Sequence, residues 1–147
     1  MSDQGSGRYA GDVDAAEAWE GLKAPDARLV DVRTRPEWTF VGVPDLSPLG
    51  KEALFLEWQA YPSMAVAPDF VERLAAHLAE EGVGRDAPLY FLCRSGGRSQ
   101  AAAMAMAAAG FTHCYNVADG FEGRLDPTRH RGTVEGWKAA GLPWIQS

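Results

Sequence analysis

P-L-Y-F-L-C-R-S-G-G-R-S-Q-A-A-A-M-A-M-A-A-A, residues Pro88 to Ala109, sets an apolar run, a loop and a helix-forming run in immediate succession. Leu89 to Leu92 follows Asp86 and Pro88 and reads as a short buried strand. Gln100 to Ala109 is built of Ala and Met, strong helix formers, and Gly110 is placed to end the helix. Between them lies Cys93-Arg94-Ser95-Gly96-Gly97-Arg98-Ser99. Free N–H groups at a helix start and in a tight loop form a concave anion site. Gly96 and Gly97 let the chain curl where a Cβ would obstruct it. Arg94 and Arg98 add two positive charges, and no acid lies between Ala87 and Ala118. Such a field favours thiolate over thiol, so Cys93 is the candidate nucleophile. The alternative is a small buried hydrophobe, the commoner fate of a free cysteine. The nucleophilic reading requires a sulfur open to solvent and ringed by loop amides.

The surrounding chain alternates strands with helices. Asp14-Ala15-Ala16-Glu17 has the form of a capping box and predicts a helix from Ala15 to Lys23. Leu29-Val30-Asp31-Val32-Arg33 is a second buried strand, and Thr34 or Arg35 with Pro36 opens another helix. Ala53 to Trp58 reads as a third strand and Asp69 to Glu81 as an amphipathic helix ended by Gly82 and Gly84. Cys114 to Val117 is counted as the fifth short strand. Residues 121–135, rich in turn signals, read as a surface excursion, and Trp137 to Ala140 as a short helix. This order predicts an α/β fold: a mostly parallel five-stranded sheet flanked by helices on both faces, with chemistry at the carboxyl ends of the strands. Residues 1–7 read as a disordered lead to a single domain over 8–147.

Charge narrows the partners. The net charge is −6, but residues 1–93 carry −8 while 94–131 carry +2 through Arg94, Arg98, Arg124, Arg129 and Arg131. An acidic body with a basic mouth suits a small anion rather than a nucleic acid. No stretch has the length of a membrane span, and the first residues lack the apolar core of a secretory signal. A free reactive thiol fits a reducing cytoplasm.

Other chemistries find little support. Phosphate-binding glycine loops and the G-x-S-x-G elbow are missing from the sequence. His77, His113 and His130 are dispersed, so no metal site is expected, and a pairing of Cys93 with His113 or His130 has no specific spacing behind it. Cys114 is either a resolving thiol or an inert one in an interior strand. Asp31, Arg33 and Glu37 are either an internal charge network bracing a loop or substrate contacts. Trp38, Trp58 and Tyr61 are either core or pocket rim. In a phosphatase loop of form C-x5-R the arginine stands six residues after the cysteine. Here that position is Ser99 and the arginine comes one earlier, at Arg98, so the shorter loop fits one extra sulfur atom better than a phosphoryl group.

Four stretches together resemble a single-domain rhodanese of the thiosulfate sulfurtransferase type. They are Leu29 to Arg33 continuing to Glu37-Trp38, the loop Cys93 to Ser99, Asn116-Val117-Ala118-Asp119-Gly120, and Gly136-Trp137 through Gly141-Leu142-Pro143. The chain departs from the family pattern at Val41-Gly42-Val43-Pro44, where a histidine is commonly found, and its 121–135 excursion is long. The resemblance implies that Cys93 carries a persulfide during turnover, with no separate cofactor. It implies a small anionic sulfur donor held by Arg94, Arg98 and the loop amides, and a thiol or cyanide acceptor. Ser95 and Ser99 would donate hydrogen bonds, Ser99 alternatively capping the helix. A sulfur carrier serving a protein acceptor is the rival reading; a phosphatase or arsenate reductase of the same fold is less favoured.

Overall fold

The computed structural model describes residues 9–146; the lead expected at 1–7 lies outside them. Strand β1 (Gly11–Val13) leads into helix α1 (Ala15–Gly21), then β2 (Arg28–Asp31), α2 (Arg35–Phe40) and β3 (Val43–Pro44). A 3-10 turn at Ser47–Leu49 precedes β4 (Leu54–Phe55), β5 (Gln59–Ala60) and β6 (Ala65–Val66). Helix α3 (Phe70–Glu80), β7 (Leu89–Leu92), α4 (Gly97–Ala108), β8 (Cys114–Val117) and β9 (Trp144–Ile145) complete the order. The main sheet runs β1-β8-β7-β2-β4, with every pairing parallel. Its centre, β7, is buried along its whole length, as a strand covered on both faces must be.

Each face has its own apolar layer. Phe70, Leu74 and Leu78 of α3 and Ala102, Ala103 and Met106 of α4 pack with Val30, Leu89 and Phe91. On the opposite face Ala15, Ala18 and Leu22 join Leu29, Leu92, Phe121 and Trp137. The helix starts follow their sequence signals. The Asp14 carboxylate accepts from the Glu17 amide at 2.8 Å while Glu17 accepts from the Asp14 amide at 2.9 Å. Thr34 caps α2, and Glu37 accepts from its amide at 3.0 Å and its hydroxyl at 2.9 Å. Lys51 closes the far end of α1 by donating to the carbonyls of Leu22, Ala24 and Ala27 at 2.8 to 3.0 Å.

Several expectations need correction. The strand read over Cys114 to Val117 is β8, and the one missing from the sequence reading is β1, a Gly-Asp-Val edge strand with no hydrophobic run of its own that forms by pairing with Tyr115 to Val117. The strand expected over Ala53 to Trp58 narrows to β4, although the Leu56 and Trp58 amides still bond the carbonyls of Asp31 and Val32 at 3.1 Å. Residues 137–141 form turns rather than a helix, and the following Trp144–Ile145 pairs antiparallel with Val43–Pro44. The segment read as a surface excursion begins inside the molecule, because Phe121 is fully buried.

Candidate active site

Residue Cys93 leaves the carboxyl end of β7, and α4 begins four residues later. Gly96 is the N-cap, with a φ of 104° that favours glycine, and a Cβ there would overlap the Ala118 carbonyl oxygen. That left-handed step turns the Gly96 N–H back onto Cys93 Sγ at 3.1 Å. The first N–H groups of α4 have no intrahelical acceptor, so the positive end of the helix opens at the same loop. Ser99, the third residue of α4, does not cap it. Its Oγ stands 3.2 Å from Cys93 Sγ and 2.6 Å from Asn116 Oδ1. Asn116 in turn donates to the Gly96 carbonyl at 3.2 Å and to Asp12 at 3.1 Å.

The sulfur does not meet the requirement stated from the sequence, being neither open to solvent nor ringed by loop amides. Cys93 is 1% exposed, and among the described residues one backbone amide, that of Gly96, donates to Sγ. The turn after β8 is tied to the main chain of this loop. The Phe121 amide donates to the Cys93 carbonyl at 2.8 Å, and the Glu122 and Gly123 amides to the Arg94 carbonyl at 3.1 Å. Gly120 allows this approach, since a Cβ there would overlap the Arg94 carbonyl. Arg94, Ser95 and Gly97 remain exposed on the outer side of the loop.

The two loop arginines occupy different settings. Arg94 is exposed, whereas Arg98 makes a two-pronged ion pair with Glu37 at 2.7 and 2.9 Å. Burial alone would raise the Glu37 carboxyl, but Arg98 and the Thr34 amide hold it down at about 2. Asp31 and Arg33 form a second pair, fully buried, with Arg33 Nη2 2.7 Å from Asp31 and 2.8 Å from the Gly42 carbonyl. The Arg33 guanidinium also lies 4.3 Å from the centre of the Phe121 ring. Glu37 thus braces the loop through Arg98, while Asp31 and Arg33 hold each other beneath the sheet end. Trp38 and Trp58 pack edge-on against Phe55 and Phe70, while Tyr61 stays exposed. His113 is exposed beside Thr112, and His130 sits within the excursion next to Thr128.

Asn116 had no role assigned from the sequence. A polar residue inside the strand Cys-Tyr-Asn-Val was the available signal, because a buried amide must find partners. Residues 120–123 left only the turn signals Gly120 and Gly123, since their contacts run through main-chain atoms.

A parallel α/β sheet with a cysteine at the end of its central strand, curling through a short glycine loop into a helix, is the rhodanese-like fold. The family model of the STR4 middle domain matches residues 10–147, and the chain belongs to that family. It is 39% identical over 131 residues to the "Uncharacterized protein RP600 homolog" of Rickettsia rickettsii, covering 88% of this chain and 93% of that one. It is 29% identical over 133 residues to the chloroplastic "Rhodanese-like domain-containing protein 4" of Arabidopsis thaliana, covering 90% of this chain and 25% of that protein. The crystal structure of Rv0390 from M. tuberculosis superposes with a TM-score of 0.81 at 48% identity, over 95% of this chain and all of that one. The polysulfide-sulfur transferase homodimer from Wolinella succinogenes shares the fold alone, with a TM-score of 0.56 at 21% identity over 92% of this chain and 77% of that one. No helix among the described residues is long and apolar enough to cross a membrane.

Proposed function

We propose that the protein is a sulfurtransferase that carries sulfane sulfur as a persulfide on Cys93. The observation behind this reading is the sulfur's setting at a helix N-terminus, where the Gly96 amide and the Ser99 hydroxyl can stabilise an anion. With thiosulfate as donor, the Cys93 thiolate attacks the outer sulfur. The S–S bond of thiosulfate breaks, sulfite leaves with the electron pair, and Cys–S–S⁻ remains. A thiophilic acceptor, cyanide or a thiol, then attacks the terminal sulfur and returns the Cys93 thiolate, which gives ping-pong kinetics. Arg94, exposed at the loop, meets the anionic donor first. Arg98 contributes mainly by fixing the loop through Glu37, because its charge is already engaged.

Closure of the sulfur favours one refinement. A persulfide held at a residue 1% exposed is shielded from stray thiols, so access requires the chain around Cys93 to move. That need favours a relay in which a protein acceptor opens the loop, rather than free turnover with small molecules. Intact mass after thiosulfate treatment tests the common core of both readings. The mass should rise by one sulfur atom and return on addition of cyanide. No gain with thiosulfate or polysulfide as donor would end the assignment. Rapid thiosulfate-to-cyanide turnover marks the free enzyme, and loading with slow turnover marks the relay.

A further inference from the structure

The Ser99 hydroxyl has a single proton and two neighbours that can take it. Cys93 Sγ lies at 3.2 Å and Asn116 Oδ1 at 2.6 Å. All three side chains are buried, with Cys93 at 1%, Ser99 at 0% and Asn116 at 2% exposure. The orientation of the Asn116 amide is fixed by its surroundings. Its nitrogen faces two acceptors, Asp12 Oδ1 at 3.1 Å and the Gly96 carbonyl at 3.2 Å, so its oxygen must face Ser99. The shorter contact gives the hydroxyl proton to Asn116 while Cys93 is a neutral thiol, and the S–H then points at the Ser99 oxygen. When Cys93 loses its proton to a solvent base, the sulfur becomes an acceptor only. Ser99 must then turn its proton to the sulfur and leave Asn116 Oδ1 without a donor.

We infer that Asn116 is a positioning residue that competes with the Cys93 thiolate for the Ser99 proton, so that it restrains ionisation of the nucleophile while its amide nitrogen holds the Gly96 loop in place. This rests on reading Cys93 as the nucleophile. The same amide ties the site to β1, because Asp12 also accepts from the Tyr9 hydroxyl at 2.8 Å and Tyr9 accepts from Gln100 at 2.7 Å. Charges on the elements packed around the pair are Arg98 of α4 held by Glu37 of α2, Asp31 of β2 with Arg33 just after it, Arg94 of the loop, Asp12 of β1, and Asp119 in the turn after β8. They are unchanged in the variants below and so form a common background.

The test is the pH profile of Cys93 alkylation by iodoacetamide, read on the Cys93 peptide by mass spectrometry. Ser99→Ala removes the donor and should move the half-maximal pH up by about one unit, the effect of one hydrogen bond to a charged atom. Asn116→Ala frees the Ser99 proton and should move it down by a similar amount, about one unit. In the double variant the Asn116→Ala shift should vanish, since it acts only through Ser99. A downward shift that persists without Ser99, or no shift in Asn116→Ala, overturns the inference. If Asn116→Ala does not fold, Asn116→Ser, whose hydroxyl is too short to reach Ser99, takes its place with the same expected outcomes. Sulfur loading of the unaltered protein is measured separately by intact mass. Absence of loading with the shifts present removes the transferase reading alone, and loading without the shifts removes only the role of Asn116.

Discussion

Two buried cysteines stand on neighbouring strands at opposite ends of the sheet. Cys114 opens β8 and pairs in register with Leu89 at the start of β7, whereas Cys93 follows the last residue of β7. Both are essentially inaccessible, at 0% and 1% exposure. Both lie in the same apolar layer under α3 and α4, and what differs is the polar contacts of the sulfur. Among the described residues the Cys114 thiol has one, the Phe111 carbonyl at 3.5 Å, and burial pushes it up to about 12. Cys93 has an amide and a hydroxyl turned toward its sulfur and a helix N-terminus beside it. Burial by itself therefore makes a cysteine inert. What distinguishes a candidate nucleophile is the strand end, where the chain must turn and main-chain donors become free.

The sharpest way to break this contrast is to remove each sulfur in turn. Cys93→Ser should abolish sulfur loading, measured by intact mass, because the oxygen that replaces Sγ cannot form the persulfide. Loading retained in that variant would transfer the chemistry to Cys114. The glycine that turns the loop comes next. Gly96→Ala puts a Cβ into the Ala118 carbonyl at a φ of 104°, a conformation only glycine adopts cheaply. We expect it to cost about 3 kcal/mol in denaturant unfolding and to expose Cys93 to alkylation. An unfolding midpoint like that of the unaltered protein would show that the loop relaxes freely.

The contrast also bears on what can be read before folding. Cys93 and its loop were legible because the chemistry is local: strand, glycines, arginines and helix are contiguous. So was the capped start of α1, where Asp14 and Glu17 are three residues apart; at α2 the sequence offered Thr34 or Arg35, and the structure chooses Thr34 with Glu37. Strand β1 was not, because Gly11-Asp12-Val13 carries one apolar residue and owes its strand to the exposed main-chain edge of β8. The tie between the Cys93 loop and the turn after β8 was hidden for the same reason. Phe121, Glu122 and Gly123 reach the Cys93 and Arg94 carbonyls through amides, and amides have no letter in the sequence. The ion pair of Arg98 with Glu37 spans 61 positions. Composition offered Arg98 to the substrate; the fold gave it to a carboxylate.

That ion pair predicts a pH dependence. The Glu37 carboxyl is held at about 2 in the folded protein against an ordinary 4.5. A depressed carboxyl contributes stability that is complete above the unfolded value and is lost as pH falls through the folded one. Glu37→Gln should therefore cost about 2 kcal/mol near neutrality, with part of this reflecting the loss of charge on a pair that is about one-fifth exposed. The gap between the two proteins should narrow as pH drops from 4.5 toward 2. Parallel stability curves across that interval would mean that the pair adds little beyond the helix cap.

The smallest effect belongs to the other cysteine, and it is the one that sharpens the comparison most. Cys114→Ala removes a sulfur from the α3 and α4 layer and leaves a cavity of one atom, a loss of about 1 kcal/mol in unfolding. Sulfur loading and the cyanide reset should be unchanged, because a thiol raised to about 12 is protonated throughout the neutral range and offers no nucleophile. Loading that stalls after one turnover in this variant would make Cys114 a resolving thiol, and would require β8 to separate from β7 to bring the two sulfurs together. The parallel ladder from Leu89↔Cys114 to Phe91↔Asn116 opposes that separation, and it also carries Asn116 to the far end of the strand, beside Ser99. One strand thus buries the Cys114 thiol in apolar surroundings at its start and places Asn116, the polar neighbour of Ser99 beside the candidate nucleophile, near its end.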